Sequence, residues 1–173
     1  MNPNTLQYGF TLIEMVISLV VLSLLGAAAG HGLSGGALAF SSGADAVHTL
    51  ANLRYASERT AREIREIRRD LVTPDVYDIS TMNPATLAFT KSDGTGVTLT
   101  SAPPIVTLAY SSPSGSPTLT DQVSSFAFAY YQADGITTAT GNADVAFIEF
   151  ELVLTRDGNN YPQRTRVALR NLQ

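Results

Sequence analysis

The chain has 173 residues, a net charge of −4, 45% hydrophobic residues and no cysteine. That length allows one globular domain plus an appendage. The missing cysteine excludes disulfides, thiolate nucleophiles and zinc–sulfur sites, and the acid excess gives the whole chain no electrostatic footprint for nucleic acid.

The first predicted element is a hydrophobic helix. From Phe10 to Ala29 every residue is apolar, small or a lone hydroxyl, with the single exception of Glu14. About 20 residues at a rise of about 1.5 Å reach across the roughly 30 Å hydrocarbon core of a bilayer. A secretory signal peptide is the competing reading; it needs a basic start, a shorter apolar core and a small-residue cleavage site. Residues 1–9 contain no Lys or Arg and the run is too long, although Ala27–Ala28–Ala29 offers small residues. A carboxylate inside a spanning helix costs about 2.5–3.5 kcal/mol at the centre and less near the interface. Glu14 therefore either snorkels to the headgroups or faces a partner.

The string Gly9-Phe10-Thr11-Leu12-Ile13-Glu14 resembles the processing motif of type IV prepilins and of the pseudopilins of type II secretion. The resemblance implies cleavage after Gly9 by a dedicated prepilin peptidase and N-methylation of Phe10, the new N-terminus. It also implies that Glu14 pairs with the N-terminal amine of a neighbouring subunit. Two opposite charges in lipid offset each other's desolvation only where they meet, so such a pair would fix axial register. The segment before Gly9 departs from the family pattern, which usually carries Lys or Arg there.

Gly26 and Gly30 form a small-xxx-small pair that lets helix backbones approach closely, and Gly32 and Gly36 repeat the spacing. Glycines at 26, 30, 32, 35, 36 and 43 also weaken a helix, by about 1 kcal/mol each against Ala. They predict a pliable stretch over residues 30–43. Gly32-Leu33-Ser34-Gly35-Gly36 matches the G-x-S-x-G nucleophile elbow, but an elbow needs a preceding buried strand and a downstream acid and His. A hydrophobic span precedes it instead, so a hydrolase is rejected.

A second, amphipathic helical pattern follows from Asp45. Val47, Leu50, Leu53, Ser57, Ala61, Ile64, Ile67 and Leu71 recur at three- and four-residue steps. Glu58 precedes Arg62, and Arg59 precedes Glu63, at i,i+4 spacing. Pro74 predicts the stop. Six arginines against four acids between Arg54 and Asp70 suggest either a basic strip for DNA or a solvated helix face. The interleaved Glu residues favour the solvated face.

Residues 75–173 read as short strands between turn clusters. Strands are predicted at 86–91 and 96–100, flanking Ser-Asp-Gly-Thr, and at 105–110, 123–132, 146–155 and 164–169. Phe126, Phe128 and Tyr130 share one face of the fourth, a core comb rather than a base-stacking platform. Exposed loops are expected at 111–117 and 135–142. Residues 71–155 hold eight acids against a single lysine, Lys91, and the last eighteen residues are basic, so adjacent subunits could attract one another. Asp134, Asn142 and Asp144, and Asp157, Asn159 and Asn160, are hard-oxygen candidates for calcium, but such clusters are first of all turn chemistry. No metal and no other cofactor is assigned.

The ending Thr-Arg-Val-Ala-Leu-Arg-Asn after an Asp-Gly turn, and Tyr55 to Asp70, resemble the larger minor pilins of the PilW and mannose-sensitive-haemagglutinin (MSHA) type. They also resemble the J-type pseudopilins. The implied fold is α+β, type IV pilin-like, with a long N-terminal helix on an antiparallel sheet. The expected division is a leader at 1–9, a membrane and assembly helix at 10–32, a glycine-rich and amphipathic stretch at 33–72, and a β domain at 73–173. The implied role is a non-enzymatic minor pilin that is inserted in, or primes, a filament. A J-type pseudopilin of type II secretion and a filament-tip adhesion module are the alternatives. Implied partners are other pilin subunits, the prepilin peptidase and methyltransferase, and an inner-membrane assembly platform. The β domain would be periplasmic until its transfer to the filament, and its acid excess argues against nucleic acid.

Overall fold

A computed structural model of the chain describes residues 10–169. Its one helix, α1, runs from Leu12 to Arg65 and crosses two compact units, Met1–Ala44 and Asp45–Gln173. In the first unit the described chain is helical from Leu12 onward, and residues 10–44 are all exposed. Helix is kept through every glycine from Gly26 to Gly43.

In the second unit α1 buries Thr49, Leu53, Ala56, Ser57, Thr60, Ala61, Glu63 and Ile64. These recur at the three- and four-residue steps of a single face, but the face is narrower and smaller than the sequence pattern predicts. Val47 and Leu50 of the predicted stripe are exposed. At 100° per residue Val47 lies about 120° around the helix from Leu53, beyond the contact. Leu71 is exposed as well, because α1 ends at Arg65 rather than near Pro74. Glu66 N–H bonds to Glu63 C=O at 3.1 Å and Ile67 N–H to Ile64 C=O at 3.3 Å, tightening the last turn. Beyond it Arg68 N–H finds Thr90 C=O at 3.1 Å, and Ile67 bridges Lys91. Sheet pairing thus replaces helix where periodicity alone would extend it.

Eight strands follow, in two sheets where a single one is expected. The first is an antiparallel meander of β1 (Ile79–Met82), β2 (Thr86–Thr90), β3 (Gly96–Ala102), β4 (Ile105–Tyr110) and β5 (Thr118–Thr120). The second is β6 (Val123–Tyr131), β7 (Phe147–Arg156) and β8 (Asn159–Ala168). The β7–β8 hairpin closes on Asp157 and Gly158, with φ of 51° and 77°. Positive φ at both central residues is what a two-residue primed turn requires.

The sheets and α1 share one core. Leu87, Phe89, Val97, Leu99, Val106 and Leu108 come from the first sheet, and alternate residues of β6 and β7 from the second. Phe126, Phe128 and Tyr130 are all buried, and Phe128 meets Phe150 across the strands at 6.5 Å between ring centroids. Loops of the first sheet close the outer edge of β6: Phe128 N–H bonds to Pro84 C=O at 2.9 Å and Val123 N–H to Pro104 C=O at 2.9 Å. Ala139 N–H adds a bond to Tyr130 C=O at 2.9 Å. Strand β8 has no neighbour on its outer side among the described residues.

Candidate functional site

The segment that departs most from a soluble protein is the start of α1. Leu12, Ile13, Met15, Val16, Ile17 and the leucines and valines up to Leu25 are all exposed, and none of the helix's most apolar window is buried. Such a continuous apolar surface far exceeds the patches that soluble monomers leave in water. Its polar groups are satisfied locally. Thr11 caps the helix, accepting Glu14 N–H on Oγ1 at 3.3 Å. Ser23 Oγ donates to Leu19 C=O at 2.6 Å, and Ser42 Oγ to Leu38 C=O at 3.0 Å. Hydroxyls that bond back to the helix add little penalty in hydrocarbon. By length and composition this helix can cross a bilayer.

Glu14 is the exception within this surface. Its side chain is exposed on the first turn of α1, and the sequence holds no other acid before Asp45. Phe10 lies just before the Thr11 cap and is 79% exposed. Gly9, the predicted cleavage position, lies outside the described residues. A side chain built on Gly26 or Gly30 would meet nothing within 4 Å. The small size of these glycines therefore relieves no crowding inside this chain.

The other charged clusters belong to the second unit. Glu63 is 1% exposed at the end of α1, ion-paired to Arg59 at 2.8 Å and Lys91 at 3.3 Å. Tyr110 Oη donates to its Oε1 at 2.9 Å and itself accepts from Arg59 Nη2 at 2.6 Å. Burial is the main cause pushing the Tyr110 hydroxyl above its usual range. Glu149 is buried on β7, held by Arg164 at 2.9 Å and Arg166 at 2.8 Å. Arg166 also donates to Gly135 C=O at 2.9 Å and stacks on Tyr131, tying the loop after β6 to the sheet. These clusters pin helix, strand and loop together.

Helical spacing in the sequence anticipates Arg59–Glu63 but gives no sign of the Glu149 cluster. Cross-strand register is the signal that finds it, because Glu149 faces Arg166 directly in the β7–β8 pairing. The expected Glu58–Arg62 pair does not form: Glu58 binds Arg54 at 2.8 Å. The calcium candidates act as turn formers. Asp134 Oδ1 accepts Ile136 and Thr137 N–H at 2.9 and 2.8 Å, and Asp144 Oδ1 accepts Gly141 N–H at 2.9 Å. Ser34, of the elbow-like string, lies within α1 and donates to His31 C=O at 3.1 Å.

An exposed apolar helix with one carboxylate at its start, continuing into an antiparallel β domain, is the architecture of a type IV pilin-like protein. Residues 4–30 match the model of the prokaryotic N-terminal methylation motif. Motif and architecture together support a type IV pilin-like, prepilin-type protein, a family that is structural rather than catalytic. The motif implies processing by a prepilin peptidase and assembly with other pilins, and the apolar helix fits a membrane anchor. No curated protein and no solved structure matches the chain.

Proposed function

We propose that the protein is a minor pilin that enters, or primes, a type IV or MSHA-like pilus. In this reading the peptidase cuts between Gly9 and Phe10, and Phe10 is N-methylated. The mature helix stays in the inner membrane, with the β domain in the periplasm, until an assembly platform extracts it. Glu14 then meets the amine of a neighbouring Phe10, while Gly26 and Gly30 allow close helix approach. The supporting observation is Glu14 itself: a lone exposed carboxylate on an apolar helix, inside a segment that matches a methylation motif. No described residue of the chain pairs with its carboxylate, so a partner from another subunit is the economical way to offset its cost in lipid.

Mass spectrometry of the chain from membranes holding the peptidase tests the first step. The expected N-terminus is methylated Phe10; an intact leader there rejects filament entry. Glu14→Val tests the second, by the amount of subunit recovered in sheared filaments. Incorporation equal to the unsubstituted chain would remove the pairing role. A J-type pseudopilin of a secretion filament would share both results. It differs in phenotype, since deletion would then block protein export instead of piliation.

A further inference from the structure

We propose that the outer edge of β8, with the groove beside it, receives an extended acidic segment of another protein by strand addition. The groove, about 330 Å³, has Ser57 and Ala61 of α1 at its floor, Arg62 and Arg65 on one rim, and Gln163 and Thr165 of β8 on the other. Glu58 also lines it, but is already paired with Arg54 at 2.8 Å.

Three observations converge on this surface. The first is the bare edge. Leu169 N–H bonds to Ala146 C=O at 2.9 Å, and Arg156 pairs with Asn159 across the hairpin turn. Alternation along an antiparallel ladder then turns the backbone groups of Asn160, Pro162, Arg164, Arg166 and Ala168 outward. Pro162 fits that phase, because its missing N–H falls on the unpaired side. From Arg164 to Ala168 the edge keeps outward N–H and C=O groups, the template that strand addition uses. The second is unspent positive charge: Arg62 and Arg65 are exposed and have no acidic partner among the described residues. The third is Ser57, a groove-lining residue that is 2% exposed and whose buried Oγ has no hydrogen-bond partner.

Charge fixes the occupant's chemistry. Two unpaired arginines beside a sheet edge favour a strand carrying Glu or Asp on the helix-facing side. A second copy of this chain does not fit, since its own edge strands, β1, β5, β6 and β8, contain no acid. Pairing β8 with β8 would also set arginine against arginine. The inference stands apart from the filament reading, because the edge is present whether or not the chain enters a filament.

The test uses the full chain in detergent micelles, with fluorescein-labelled peptides of alternating Val and Glu, or Val and Lys, read by anisotropy. The Val/Glu peptide is expected to bind at least tenfold tighter than Val/Lys, and to slow amide exchange at Arg164, Arg166 and Ala168. Arg62→Glu with Arg65→Glu should weaken it at least tenfold. Arg164→Pro removes an outward N–H and should abolish binding, while Arg164→Ala keeps that N–H and should retain it. Equal binding of both peptides, or unchanged exchange along β8 on the unsubstituted chain, overturns the proposal. So does binding of a thymidine oligonucleotide at matching affinity without β8 protection, which would mark simple phosphate capture. Self-association that the same substitutions abolish would assign the edge to a second copy, and also overturns it.

Discussion

Glu63 and Glu58 sit on one helix, five residues apart, and their surroundings give them different weight. Glu63 is 1% exposed, with Arg59, Lys91 and Tyr110 directed at it. Glu58 meets only Arg54, on a solvated surface. Replacing one member of a buried ion pair leaves the others desolvated and uncompensated, a loss of about 3 kcal/mol. Glu63→Ala should therefore lower the urea unfolding midpoint clearly, whereas Glu58→Ala should leave it where it is. Exposed carboxylates matter in another way. Backbone N–H groups of Thr73 and Val72 lower the Asp70 pKa from an ordinary 3.8. The Thr137 hydroxyl, with the Ile136 and Thr137 N–H groups, lowers Asp134, and the Thr140 and Gly141 N–H groups lower Asp144. A depressed folded pKa gives stability that is complete above the unfolded value, about 3.9, and is lost as pH falls through the folded one. Unfolding free energy should thus drop as pH falls below about 4, with a shallower slope in Asp134→Asn and Asp144→Asn. At the alkaline end, burial raises Tyr130, so its contribution persists up to about pH 10 and is lost as pH climbs beyond.

Among the elements, the β7–β8 hairpin is the most legible in sequence. Ile148, Phe150, Leu152 and Leu154 alternate along the strand and all four are buried, and an Asp-Gly pair marks the turn. Gly158 holds φ of 77°, with open space where a methyl would sit, so its cost on substitution is conformational. Gly158→Ala should destabilise by roughly 1 kcal/mol, seen as a lower thermal midpoint with the same enthalpy per residue. Strands β1 and β5 are not legible, being four and three residues long, too short to display a period. The end of α1 escapes sequence for a different reason. Ile67 continues the helical spacing, but the chain there bridges to Lys91, and a tertiary pairing leaves no periodic trace. At the candidate site, the charge of Glu14 against its neighbours is fully visible in sequence. The unpaired state of Arg62 is not, since Glu58 has two equally spaced arginines to choose between.

For the whole molecule, the division at Ala44 and Asp45 separates two kinds of stability. Every buried residue among those described, from Thr49 to Val167, lies in the second unit. The first unit has no buried residue among those described, and its helix finds no tertiary partner there. Isolated helices in water are marginal without such a partner, so a solvent of hydrocarbon or neighbouring helices is what sustains it. The second unit needs neither, because it carries its own buried core, and Arg156 at the end of β7 pairs with Asp45 at 2.7 Å where the helix enters. A chain starting at Asp45 should therefore be soluble without detergent and unfold in one cooperative transition. The full chain should need detergent, and its transition should have the same midpoint, since no core contact is lost by the truncation. Calorimetry on both chains checks this. A broad, non-cooperative melt of the shorter chain would mean that helix before Asp45 is required to nucleate the β domain, against the burial pattern.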